Sequence, residues 1–174
     1  GGDGQVLAVA NVGDSRTYLL RNGQLSLLTR DHSWVQEMVR AGQITREQAE
    51  IHPKRSTLTR ALGIGGAVQV DVDIIEPKPG DRYLLCSDGL WDELTLTQIR
   101  NLLETVTDPD DAAARLVGDA LVAGGRDNVT VVVVDAEEVP SLVALPDPDP
   151  DDARTKGEDE GQEDPLRAAE EEAS

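Results

Sequence analysis

The apolar patterning of this sequence stops at Asp135, so any fold must be built before that point. Residues 140–174 hold five of the nine prolines, no aromatic residue and the acidic runs Asp147–Asp152 and Glu158–Glu160. Such a segment buries too little apolar area to offset its ordering entropy. The pattern predicts a folded body over residues 1–137 and a disordered acidic tail over 138–174. Charge divides the chain at the same place. Residues 136–174 carry 14 acidic and 3 basic side chains, a net of −11 out of the formal −18. A tail of this kind could also be read as an acidic interaction segment for Ca²⁺ or basic partners, but the Asp147–Asp152 run alternates with prolines and lacks the glycine of a Ca²⁺ loop, which weighs against a specific site.

An acidic chain of this kind does not suit nucleic acid, which demands a basic surface. No run of 18 apolar residues marks a membrane segment, and no charged-then-apolar leader opens the chain. The start at Gly1-Gly2-Asp3-Gly4, without Met, reads as a chain beginning inside a domain. Cys86 is the only cysteine, so no intrachain disulfide is possible and a reducing, cytoplasmic setting is expected. Within Tyr83-Leu84-Leu85-Cys86 it reads as a small buried hydrophobe.

The body opens on three strand signals: Gln5–Val12, Ser15–Arg21 and Leu25–Leu27. Asn22-Gly23 between apolar runs is a type I′ hairpin signal, and the reading is a three-strand antiparallel meander. Trp34, Val35, Met38 and Val39 then share one helix face, with Ser33 and Gln36 placed as a capping box and Gly42 as the stop. A second short helix is predicted at Thr45–Gln48 and a further helical turn or two at Ser56–Leu62. Val68–Ile75 alternates as a strand, and Arg82–Cys86 reads as a buried one. Helices are predicted at about Thr95–Thr105 and Pro109–Val122, the second capped by Asp108 with Pro109 at its first position. The apolar run Val129–Val134 reads as a central, fully buried strand.

Two of these strand ends carry acidic residues. Ser87-Asp88-Gly89 follows one strand, and Gly125-Arg126-Asp127-Asn128 precedes another. If the strands pair, both carboxylates project at one sheet edge, where they can ligate a hard divalent cation such as Mg²⁺ or Mn²⁺. The same pairs are also ordinary turn chemistry, and spacing leaves both readings open.

Five blocks occur in a telling order: Asn11-Val12-Gly13-Asp14-Ser15-Arg16, Leu28-Thr29-Arg30-Asp31-His32, Leu58-Thr59-Arg60-Ala61-Leu62-Gly63, Gly80-Asp81-Arg82 through Ser87-Asp88-Gly89-Leu90, and Asp127-Asn128-Val129-Thr130. Together they resemble the second half of the catalytic domain of the bacterial-type metal-dependent serine/threonine protein phosphatases, the PPM or type 2C family. The segment around Val39–Pro53 resembles that family's flap, giving a flap-like region over about 33–62.

The resemblance implies an α+β fold, part of a four-layer αββα sandwich with two antiparallel sheets. It also implies a binuclear Mn²⁺ or Mg²⁺ centre whose activated water attacks phosphoserine or phosphothreonine. By motif match, Asp88 and Asp127 are the metal ligands of this half, and no other catalytic residue is assigned. The remaining ligands are expected before residue 1, so the chain alone is expected to be inactive, with apolar faces left uncovered. Asp14 is expected to be a structural turn residue partnered by Arg16, Asn128 to orient Asp127, and His32 and His52 to be solvated loop histidines. The implied partners are phosphoserine and phosphothreonine proteins, serine/threonine kinases and their substrates among them, with the chain acting as a monomer. The competing reading is a phosphatase-like regulatory or binding module without catalysis.

Overall fold

The computed structural model of the protein describes residues 6–64 and 67–137; the predicted acidic tail lies outside the described residues. Strands β1 (Leu7–Asn11), β2 (Arg16–Arg21) and β3 (Gln24–Leu27) open the body. Asn22 and Gly23 turn the chain at φ of 52° and 73°, the left-handed pair that a type I′ hairpin needs. Helices α1 (Trp34–Arg40) and α2 (Arg46–Glu50) follow, then strand β4 (Asp71–Ile75). Strand β5 (Arg82–Cys86) leads into the short helix α3 (Asp88–Trp91), and then come α4 (Leu96–Thr105), α5 (Pro109–Ala123) and strand β6 (Val131–Asp135).

Both sheets are antiparallel. β1 pairs with β4, from Leu7 opposite Ile75 to Asn11 opposite Asp71. The other sheet runs β3-β2-β5-β6. The predicted three-strand meander is therefore corrected: β2 and β3 form the hairpin, and β1 belongs to a different sheet. Its departure is fixed at Gly13, whose N–H donates to His32 Nδ1 at 3.1 Å and whose carbonyl accepts from the His32 N–H at 2.9 Å. Pinned there, the chain leaves one sheet and enters the next.

Capping explains several helix starts. Thr45 with Gln48 and Thr95 with Gln98 make reciprocal boxes at α2 and α4, while at α1 only the Ser33 half forms. Asp108 accepts from the Asp111 N–H at 2.9 Å with Pro109 at the first position of α5, as the sequence predicts. The helical turn expected at Ser56–Leu62 is absent. Instead Leu58 bridges Ser33, the Trp34 N–H donates to Thr57 O and the Thr59 N–H to His32 O, each at 2.8 Å. Those backbone groups are committed to sheet-like pairing and are not free for a helix.

One face of the four-stranded sheet carries Tyr18, Leu20, Leu84 and Cys86 against Leu90, Leu94, Ile99, Leu102, Leu103, Ala112, Leu116 and Ala120. Ala112, Leu116 and Ala120 recur every four residues, so α5 lays one stripe on the sheet. Each buried leucine contributes about 1.5–3 kcal/mol before ordering costs. Cys86 is buried here, as expected.

The opposite face is only partly covered. Leu19 and Tyr83 are buried, but Leu85, Val132 and Val134 remain 42%, 49% and 47% exposed. β6 is thus a sheet edge among the described residues, and not the fully buried central strand predicted. Alternation lets Val131 and Val133 face the core while Val132 and Val134 face out. On the β1–β4 sheet, Ala8, Val72 and Ile74 are also exposed. A cleft of about 370 Å³ opens between the sheets, lined by Val6, Leu7, Pro77, Tyr83, Val134 and Ala136.

Two arginines tie the far ends of the strands. Arg21 makes a two-pronged pair with Asp81, which also accepts from the Lys78 N–H and the Tyr83 hydroxyl. Arg82 donates to both carboxylate oxygens of Asp135 and to the carbonyls of Leu103, Val106 and Thr107, at the C-terminal end of α4. No described helix is long and apolar enough to cross a membrane.

Candidate metal centre

Three of the sequence blocks interlock before any functional side chain is placed. Arg16 holds Asp31 through Nε and Nη2, the latter at 2.7 Å, and stacks on Trp91 with its guanidinium carbon 3.7 Å from the ring centroid. The Thr17 N–H donates to Thr29 Oγ1 at 3.0 Å. Arg60 pairs with Asp71 at 2.7 Å. The loop holding Asp14 is consequently fixed by β2 on one side and by the Thr29–His32 segment on the other.

The strand pairing brings Asp88 and Asp127 to one sheet edge. β5 and β6 are antiparallel with Cys86 opposite Val131, so the residues after the first strand and before the second lie at the same end. Ser87 stitches them: its hydroxyl donates to Asn128 O at 3.1 Å and accepts from the Thr130 N–H at 3.0 Å. Asp88 Oδ1 accepts from the Gly89 N–H at 2.9 Å, and Asp127 Oδ1 from the Asn128 N–H at 2.7 Å. Among the described residues, the second oxygen of each carboxylate makes no hydrogen bond. Asn128 does orient Asp127, through its backbone and not its side chain.

Asp14 differs from expectation. Arg16 is committed to Asp31 and is not the hydrogen-bonded partner of Asp14. The half-buried Asp14 carboxyl is raised above its ordinary pKa, chiefly by burial and then by the negative charge of Asp88. It belongs electrostatically to the same edge as Asp88.

The expectation for His32 needs a correction too. His32 is fully buried. Its Nδ1 accepts from Gly13, and its Nε2 lies 3.2 Å from an Asp71 carboxylate oxygen, poorly aligned for a hydrogen bond. It is a tether between the end of β1, the start of β4 and the Thr57–Thr59 segment. His52 is half-buried, its ring 5.0 Å from that of Trp34, with Nδ1 accepting from the Lys54 N–H.

Comparison with known proteins bears on what this edge is. Residues 2–40 match the protein phosphatase 2C family. The chain is 42% identical over 129 residues to the serine/threonine phosphatase stp of Listeria welshimeri, covering 74% of this chain and 51% of that protein. Its fold matches the crystal structure of the Mycobacterium tuberculosis serine/threonine phosphatase PstP/Ppp with a TM-score of 0.71 at 46% identity, covering 76% of this chain and 55% of that one. The chain belongs to the protein phosphatase 2C family.

The match falls on the C-terminal part of the relatives' catalytic domains, and the phosphatase 2C chain described here spans about half the length of the Listeria relative. A structure of the PstP catalytic domain in complex with two manganese ions matches at a TM-score of 0.69 and 42% identity, over 79% of this chain and 56% of that one. The donors present in this phosphatase 2C chain fit such a cation in kind: they are hard carboxylate oxygens, each anchored at one end and free at the other. They do not complete a cage. Among the described residues no group of three or more histidine, cysteine, aspartate or glutamate side chains is placed to hold a metal ion.

Sequence reasoning missed Glu93 and Arg126 at this site. Glu93 Oε1 accepts from the Arg126 N–H at 3.1 Å and from its Nε at 2.8 Å. These contacts hold the Glu93 carboxyl below its usual range. The available signal was Gly124-Gly125 before Arg126, which marks a loop that must pass close to something.

Proposed function

We propose that residues 1–137 form the C-terminal portion of a metal-dependent serine/threonine protein phosphatase domain, with Asp88 and Asp127 as its metal ligands. The observation that carries this reading is their placement: two carboxylates at one end of the β5–β6 pair, each with one oxygen held by the next residue's N–H and the other free. Mn²⁺ or Mg²⁺ bound there would lower the pKa of a coordinated water and offset charge on the phosphoryl oxygens. The chain's own contribution is to hold its carboxylates at a set separation through Ser87 and the β5–β6 register, with Asp14 adding negative charge beside Asp88.

The proposed substrates are phosphoserine and phosphothreonine residues of cytoplasmic proteins, serine/threonine kinases and their targets among them. Residues 33–62 are proposed to act as the flap beside that site. Two carboxylates are fewer oxygen ligands than a hard divalent cation ordinarily takes, so this chain by itself is expected to bind metal weakly and to turn over no phosphopeptide. The exposed Leu85, Val132 and Val134 suit a surface that the rest of the domain covers.

The test is Mn²⁺ titration of the 174-residue chain, followed by electron paramagnetic resonance of free Mn²⁺. Asp88→Asn and Asp127→Asn should each weaken binding about tenfold or more, since each keeps the shape and removes the charge that balances the cation. Equal affinity in wild type and both variants would overturn the site assignment. Metal-dependent hydrolysis of p-nitrophenyl phosphate by the chain alone would overturn the expectation that it is inactive.

A further inference from the structure

Glu93 lies five residues after Asp88, beyond the end of α3, and its side chain is only 4% exposed. A carboxylate packed against the body in this way is stable there only when it is paired and hydrogen-bonded. Its partner is Arg126, the residue immediately before Asp127. Arg126 reaches it twice, through the backbone N–H and through Nε. A third bond runs from Arg126 Nη2 to the carbonyl of Asp92 at 3.1 Å. Gly124 permits this approach: a Cβ there would lie 2.6 Å from Glu93 Oε2.

We propose that the Glu93–Arg126 pair is a positioning device that sets the separation of the Asp88 and Asp127 carboxylates. This rests on the reading of those two aspartates as metal ligands. The argument is one of rigidity. The short stretch Asp88–Glu93 carries one carboxylate at its start and the anchor for the other at its end. Leu94 N–H to Leu90 O and Asp92 N–H to Asp88 O, both at 2.9 Å, keep that stretch in register. The loop 124–128 is exposed throughout; the Gly124 and Gly125 N–H groups hold its start to Ala120 O, and the side-chain ties flanking Asp127 are Arg126 on Glu93 and Ser87 on Asn128 O. Without the first, the chain between Gly125 and Asp127 has no side-chain anchor and Asp127 gains freedom to move.

The test uses the 174-residue chain, with amide hydrogen exchange and Mn²⁺-induced broadening both read by NMR. Glu93→Ala should speed exchange at the amides of Asp127 and Asn128 about tenfold while leaving those of α5 and the middle of β5 unchanged. The same variant should weaken Mn²⁺ binding by about tenfold, the scale found when a residue supporting a metal ligand is lost. Glu93→Gln keeps an acceptor for the Arg126 N–H and should recover part of both effects. If Glu93→Ala proves too unstable, Arg126→Gln leaves the buried carboxylate in place and asks the same question.

Unchanged exchange at Asp127 and Asn128 in both Glu93→Ala and Arg126→Gln would overturn the proposal. So would faster exchange with unaltered Mn²⁺ affinity, which would leave the pair a loop tie of no consequence to the metal. If Mn²⁺ broadens neither aspartate in the wild-type chain, the metal reading itself fails and the positioning role falls with it.

Discussion

Gly89→Ala tests how tightly the two carboxylate-bearing segments are joined. A Cβ built at Gly89 would lie 2.5 Å from Asn128 O, 2.9 Å from Asn128 C and 3.3 Å from Val129 Cγ2. The first two are backbone atoms, which no rotamer change can move. Relief requires the start of α3 and the Asn128 backbone to separate by about 0.9 Å, taking 3.4 Å as the onset of ordinary contact. Such overpacking costs about 1–3 kcal/mol. The movement also stretches the two Ser87 hydroxyl bonds to Asn128 O and the Thr130 N–H, each contributing about 0.5–1.5 kcal/mol. The total expected is about 2–6 kcal/mol, a fall in Tm of about 6 °C or more for a body of this size.

Urea unfolding followed by tryptophan fluorescence reads it, since Trp91 lies on α3 itself. Gly118→Ala is the control. Gly118 lies inside α5 with no heavy atom within 4 Å of its built Cβ, so alanine there should stabilise by about 0.5–1 kcal/mol. A Gly89→Ala chain that melts with wild type, while Gly118→Ala behaves as stated, would refute the close approach.

Asp81 is held down to about 2, against an ordinary 3.8, first by its two-pronged bond with Arg21. A depressed folded value means the stabilisation is complete above the unfolded value near 3.8 and is lost as pH falls through about 2. The difference corresponds to about 2 kcal/mol. Asp81→Asn should remove that component, so stability curves of variant and wild type that stay parallel from pH 5 to 2 would contradict it. Burial pushes the Cys86 thiol up to about 12; at pH 8 it should react with Ellman's reagent at least about a hundredfold more slowly than in urea, and equal rates would show an open core. Because burial and the charge of Asp88 both disfavour ionised Asp14, Asp14→Asn should raise the metal-free Tm and weaken Mn²⁺ binding, a pair of shifts that a purely structural turn residue would not give.

Local signals were legible wherever the chain's own neighbours decide the structure. Asn22-Gly23 specifies its turn because few residue pairs tolerate that backbone, and Asp108-Pro109 starts α5 for reasons contained in four residues. Asp88 and Asp127 were legible as a pair because both flanking segments read as strands and antiparallel pairing alone brings their ends together. Partnership was not legible. The alternation of β1 is equally compatible with β2 and with β4, sixty or more residues away, and the contacts that separate the two choices, such as the Gly13–His32 crossing, lie between distant segments. His32 looks solvated by type, yet its two nitrogens sit between Gly13 and Asp71, a neighbourhood assembled from three separate blocks. The valines of β6 read as central because apolar runs encode burial potential. Whether anything covers Val132 and Val134 depends on elements outside that run.

Arg82 has a dynamic consequence. Its five N–H donors are all in use, two on Asp135 of β6 and three on the carbonyls of Leu103, Val106 and Thr107. An unfolding helix usually frays from its ends, one turn at a time. At the C-terminal end of α4, fraying would withdraw three acceptors from a guanidinium that is largely shielded from water. Losing β6 would remove its counter-charge as well. Helix end and strand are thereby coupled, so their amides should exchange in a single opening event, with α4 protected at its C-terminal turn to the same level as the valines of β6.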